Sequence, residues 1–96
     1  MKVYLQYWEE SERNWGVRPD GCSIHIDLES HRKFVDDVYL DRTFHQHVPN
    51  EYDRIVGDPI EVELSEELYQ SLVQSKTIRL TEVETNNLIK FKGIIV

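Results

Sequence analysis

Hydrophobic residues recur at every second position in three stretches of this chain: Val3, Leu5 and Tyr7; Cys22, Ile24, Ile26 and Leu28; and Ile60, Val62 and Leu64. That period sends successive side chains to opposite faces of a strand, so each stretch reads as a strand with one buried face. After Leu28 the period changes. Leu28, His31, Phe34, Val35, Val38, Tyr39 and Arg42 follow intervals of three and four, which is a helical stripe. A chain that mixes these two periods in separate blocks is of the α+β class.

The remaining elements follow from local signals. Lys2 to Trp8 is the first strand, and the polar run Glu9 to Asn14 ends it. Trp15 to Arg18 reads as a short strand feeding a turn at Pro19-Asp20-Gly21. Cys22 to Leu28 is the second strand. A helix follows over 29–42, capped by Asp27 or Ser30, and Leu40 lies off its stripe. From Thr43 to Pro59 no period survives, so this segment is expected to be a loop. Ile60 to Leu64 is the third strand. Ser65 then caps a helix with Glu66 and Glu67 in its first turn and an apolar face of Leu68, Tyr69, Leu72 and Val73. Lys76 to Leu80 is a fourth strand. Thr81-Glu82-Val83-Glu84 is a capping box that opens a short helix ending near Ile89, and Lys90 to Val96 closes the chain as a strand.

The expected architecture is one domain over residues 1–96, in the order β-β-α-loop-β-α-β-α-β. It is a small single-layer, mostly antiparallel sheet of about five strands, with the helices (two or three) packed on one face. The other face is expected to stay partly open and to carry Tyr4, Gln6, Trp8, Ser23, His25, Asp27, Glu61, Glu63 and Arg79.

Charge bounds the partners. Eighteen acidic against eleven basic residues leave a net charge of −7. A field of that sign repels phosphate backbones, so direct nucleic-acid binding is not expected. No apolar run reaches the length of a membrane span, and the start Met1-Lys2-Val3-Tyr4-Leu5-Gln6-Tyr7 turns polar too soon for a signal peptide. The single cysteine, Cys22, rules out an internal disulfide and suits a reducing, cytoplasmic setting.

The densest cluster of chemistry lies between Arg13 and His25. Arg13 and Arg18 can fork onto a carboxylate or phosphate, Trp15 and Trp8 can stack on a flat ring, and Asp20 can accept from a hydroxyl or amine. With His25 and Tyr4 beside them, these residues form the expected ligand site, for a small anionic or nucleotide-like molecule held without catalysis. Their competing use is structural: a tryptophan on a small core and arginines paired to Asp20 or Asp27. Ser23, His25 and Asp27 stand in a row, but neighbours two apart on a strand lie about 7 Å apart, which is not triad geometry. No catalytic residue, cofactor or metal site is therefore expected. His45-x-His47 is the nearest approach to a metal pair and lacks an evident third ligand.

The alternative expectation is an acidic inhibitor or immunity-type factor, in the style of small phage or mobile-element proteins, docking on a basic protein. Asp36, Asp37 and Asp41 on one helix, and Glu61, Glu63, Glu66 and Glu67 at a strand–helix junction, supply its faces. An aromatic sheet face or the edge at Gly93-Ile94-Ile95-Val96 also offers a route to a homodimer or higher homo-oligomer.

Overall fold

The computed structural model describes residues 1–12, 16–44, 52–90 and 94–95. Its elements are β1 (Lys2–Glu12), β2 (Gly16–His25), α1 (Leu28–Phe44), β3 (Tyr52–Leu64), α2 (Glu66–Ser75), β4 (Thr77–Leu80) and α3 (Glu82–Lys90). The four strands form one antiparallel sheet in the order β4-β2-β1-β3. Two further residues, β5 (Ile94–Ile95), pair with Glu63 and Leu64 on the outer side of β3. Of the closing strand expected over residues 90–96, Lys90 ends α3, and 91–93 and 96 lie outside the described residues.

One sheet face carries the alternating apolar rows. Val3, Leu5, Cys22, Ile24, Val62 and Leu64 are buried there with Leu72 of α2. Thr85 of α3 donates to the Thr81 carbonyl at 2.7 Å and its Oγ1 lies 3.3 Å from Cys22 Sγ, which sets that helix against the same face. The caps are those the sequence predicts. Ser65 accepts from the Leu68 N–H, and Thr81 and Glu84 exchange two bonds at 3.0 and 3.2 Å as a capping box.

The opposite face differs from expectation. It is covered by α1, so helices lie on both faces of the sheet. Trp8 is 2% exposed and Gln6, Ser23 and His25 are fully buried. Phe34 of α1 meets the Trp8 ring edge-on at 5.8 Å, and His31 of α1 meets the His25 ring at 5.0 Å. The polar residues of this face tolerate burial because they bond to one another rather than to water. Asp27 stays exposed and caps α1 by accepting from the Ser30 N–H at 2.7 Å.

Two strands are longer than their apolar patterns. β1 runs on to Glu12, and β3 begins at Tyr52, where a loop is expected. Cross-strand pairing holds these polar ends: Glu9 faces Arg54 and forms an ion pair with it, and Glu10 faces Asp53 on one side and Arg18 on the other. The 13 residues of β3 reach roughly 40 Å, which sets the 41 Å long axis of the molecule. α1 likewise continues past Leu40 to Phe44.

Pro19-Asp20-Gly21 is not the turn. Glu12 faces Gly16 across the hairpin, and Pro19-Asp20-Gly21 lies inside β2. The register slips between Tyr7 and Glu9, where β2 accommodates an extra residue as a bulge. Pro19 costs no ladder bond on its outer side, because β4 pairs only with Cys22 to His25. Gly21 has φ +74°, and a Cβ there would sit 2.0 Å from the Leu80 carbonyl oxygen. Gly21→Ala is therefore expected to destabilise the fold by about 3 kcal/mol or more, through clash and strain together. Gly16→Ala, at φ +82° but with open space around it, is expected to cost only about 1 kcal/mol. Urea denaturation midpoints of the two variants measure this difference.

Candidate functional site

Beneath α1 a chain of hydrogen bonds crosses three strands. The Trp8 indole N–H donates to Ser23 Oγ at 2.7 Å, Ser23 Oγ lies 2.6 Å from His25 Nε2, and His25 Nδ1 lies 2.9 Å from Thr77 Oγ1. Ser23 accepts from Trp8, so its own hydrogen is available to His25 Nε2. The imidazole is then the neutral tautomer with its proton on Nδ1, donated to Thr77. Next to it, His31 Nε2 donates to Gln6 Oε1 at 2.9 Å. The Gln6 amide in turn donates to the carbonyls of Tyr7, Val56 and Gly57, filling a second bulge where β3 passes Gly57-Asp58-Pro59.

Ser23 and His25 thus touch, although strand spacing separates their backbones. They do not make a nucleophile and base. Both are fully buried, Thr77 takes the place a carboxylate would need, and Asp27 points away to its cap. Burial lowers the His25 pKa to about 4, the His31 ring adds to that effect, and Asp27 opposes it. Burial lowers His31 as well. The unfolded imidazole takes its proton near pH 6.5, so between pH 6.5 and 4 only the unfolded chain binds it. Stability from this group is full above pH 6.5 and is lost as pH falls towards 4. Relative to His25→Gln, wild-type stability is expected to drop by about 2 kcal/mol from pH 7 to pH 5. Denaturant unfolding of both proteins at the two pH values measures this.

At the hairpin end of the same face, charges crowd around Arg79. Its guanidinium bonds Asp20 at 3.1 Å, reaches Asp53 at 3.9 Å, donates to the carbonyls of Cys22 and Leu80, and lies 5.5 Å from the centre of the Trp8 ring. Arg18 pairs with Glu10 at 3.1 Å. Oxygens of Glu10, Asp20 and Asp53 come within 4.8 Å of one another. These are the described residues whose oxygens are placed to share a cation, and Arg79 already supplies a positive charge among them. Burial, a hydrogen bond and charge from Asp20, and the charge of Glu10 push the Asp53 carboxyl up to about 6, against the pull of Arg79. The folded state holds that proton more tightly than the unfolded one, so stability from this group is present at low pH and is lost as pH rises through 6. Asp53→Asn is accordingly expected to raise the melting temperature more at pH 8 than at pH 5, by calorimetry.

A third feature lies on the other face. α2 and α3 cover the sheet only as far as Tyr7, and beyond them a groove of about 270 Å³ opens between the hairpin, β3 and the start of α3. Tyr7, Trp8, Val17, Pro19, Gly21 and Val56 line it together with Arg18, and Glu9, paired with Arg54, and Glu82 also border it. Val17 and Val56 are 47% and 45% exposed. Glu82 is held in place by accepting the Gly21 N–H at 2.8 Å.

The residues expected to form one ligand loop are distributed among these places. Arg13 and Trp15 lie outside the described residues, as do His45 and His47. Trp8 and His25 are interior, and Tyr4, half-buried, stands opposite His25 in register. Arg18 and Asp20 both lie towards the hairpin end, Arg18 paired with Glu10 and Asp20 with Arg79. Sequence reasoning missed Arg79 as the centre of the cluster and Val17, Pro19 and Val56 as one surface. The chain matches no known protein family, no curated protein and no solved structure. No helix among the described residues is long and apolar enough to cross a membrane.

Proposed function

We propose that this protein is a non-enzymatic binding module that docks on a basic protein, as an inhibitor or immunity-type factor does. The observation that supports this reading most is the placement of the excess acid. Carboxylates of Asp36 and Asp37 on α1, and of Glu61, Glu63, Glu66 and Glu67 at the β3–α2 junction, are exposed, with Glu61 paired to Lys2 and Glu63 to the terminal ammonium. A chain of net charge −7 that displays its acids on outer faces attracts a cationic partner over a Debye length and speeds its association. A single cysteine, Cys22, which is buried, fits a reducing cytoplasm.

The reading as a holder of a small anionic or nucleotide-like ligand has less support. Arg18 and Arg79 face Glu10, Asp20 and Asp53, so an anion entering there meets carboxylates as well as guanidinium groups. Trp8 and His25 stand under α1, away from solvent.

The test is capture of partners by tagged protein from the cells that express it, at low salt. A basic protein is expected, with an association rate that falls at least about tenfold on raising salt well past the screening range. Reversal of Asp36 and Asp37, or of Glu61 and Glu63, to lysine is expected to weaken it. A partner indifferent to both salt and reversal sinks the reading. A bound mass of a few hundred daltons, lost on Arg18→Ala, would favour the ligand instead.

A further inference from the structure

We infer that α1 is an acid-released cover: as the imidazoles of His25 and His31 take up protons, this helix lifts from the sheet while the core on the opposite face stays folded. The inference is independent of the basic-partner reading.

Three observations carry it. First, the two faces of the sheet are held by separate sets of residues. The aliphatic core packs with α2 and, among the described residues, contains none from α1. Val35 is the buried side chain among those described on α1, and His31 and Phe34 are half-buried. Hydrogen bonds dock this helix, from His31 Nε2 to Gln6 Oε1 and from the Ile55 N–H to Tyr39 Oη, along with the ring contacts of His31 and Phe34. Lifting α1 therefore leaves the larger apolar core in place, as a local opening requires.

Second, the bonds that seat His25 have no place for a second proton. Its Nε2 accepts from Ser23 and its Nδ1 donates to Thr77. A proton on Nε2 makes the ring a donor on both sides. Ser23 Oγ already accepts from Trp8, so its own hydrogen would lose its acceptor in a buried site. His31 meets the same ring edge-on at 5.0 Å, so protons on both rings set two cations against each other. The surrounding charges are otherwise engaged. Asp27 faces solvent and accepts from the Ser30 N–H, and Arg79, on the same sheet face, bonds Asp20 and reaches Asp53. β1 presents Tyr4 and the uncharged amide of Gln6.

Third, water can reach both ends of the histidine pair. A groove of about 540 Å³ runs along one side of α1, where His31 lies with Glu29, Asp36 and Arg32. A second, of about 190 Å³, runs along the other side, where Phe34 and Thr77 lie with Asp37, Lys33 and Lys76. Each groove thus carries both signs of charge beside the seam that would open.

Burial holds the His25 pKa near 4 and lowers that of His31. With α1 lifted, the His25 value rises towards the ordinary 6.5. Between pH 6.5 and 4 the opened state then binds a proton that the covered state does not, so falling pH favours opening. From pH 7 to pH 5 His25 contributes a rise of up to about twentyfold in the opening constant.

The experiment is native-state hydrogen exchange of the full chain by NMR at pH 7 and pH 5, with each amide corrected for its intrinsic rate. The opening constant of the α1 amides from Phe34 to Tyr39 is expected to rise at least about tenfold at pH 5. The amides of Leu5, Ile24 and Val62 are expected to stay at least about tenfold better protected than those of α1 at both pH values. In wild type the His25 ring signals are expected to report proton uptake in step with α1 opening. In the His25→Gln, His31→Gln double variant, folded by its melting transition at pH 7, the α1 opening constant is expected to change less than about threefold. One common opening constant for α1 and the strands at pH 5 would make the transition global and overturn the inference. An α1 opening constant equal at the two pH values would overturn it too, as would a full-sized rise in the double variant or a rise that precedes His25 protonation. Partner capture and its salt dependence are read separately, so failure here leaves the basic-partner reading untouched.

Discussion

Ser23 accepts from the Trp8 indole and bonds His25, which bonds Thr77, and this buried chain ties β1, β2 and β4 beneath α1. α1 lies on a face made of Gln6, Trp8, Ser23 and His25 rather than of aliphatic residues. Such a face can be buried only if its polar atoms are satisfied, since each orphaned group would cost on the order of 1–3 kcal/mol. Among the described residues no buried side-chain nitrogen or oxygen lacks a partner. The same requirement makes the histidine neutral, so the covering of this face is tied to pH.

Both departures from regular pairing serve that arrangement. The bulge in β3 turns the Val56 and Gly57 carbonyls towards Gln6, whose amide fills the gap while its oxygen holds His31 of α1. The bulge in β2 brings Asp20 to Arg79 and presents the Gly21 N–H to Glu82 of α3. One slip in register therefore positions groups on both sides of the sheet. Gly21 is the residue that permits it, because the backbone of Leu80 and Thr81 passes where a Cβ would stand.

The hairpin end joins the charged cluster of one face to the groove of the other. On the α1 side, Glu10, Asp20 and Asp53 crowd around one guanidinium and keep the Asp53 carboxyl partly protonated near pH 6. On the other side, the same strands offer Tyr7, Val17 and Val56 between carboxylates.

Local pattern alone determined the α+β class, the apolar faces of Val3 to Tyr7, Cys22 to Ile26 and Val62 to Leu64, the stripe of α1 from His31 to Tyr39, and the caps at Ser65 and Thr81, while Leu28 and Ile60, expected inside, stand exposed. These are local properties, written in spacing and in the hydrogen-bonding habit of single residues. Tertiary structure decided the rest. Glu9 to Glu12 and Tyr52 to Pro59 carry no apolar strand period, and they become strand by cross-strand pairing among β1, β2 and β3. Pro19-Asp20-Gly21 has the composition of a turn, yet the ladder to β1 makes it a bulge. Tyr4, Gln6, Trp8, Ser23 and His25 look like a solvent face because their polarity is visible in the sequence and their partners are not. Trp8 finds Ser23 across the hairpin, His25 finds Thr77 at a separation of 52 residues, and Gln6 finds His31 on the helix above. A polar residue is interior or exposed according to whether such a partner stands within bonding distance, and only the folded chain sets that distance.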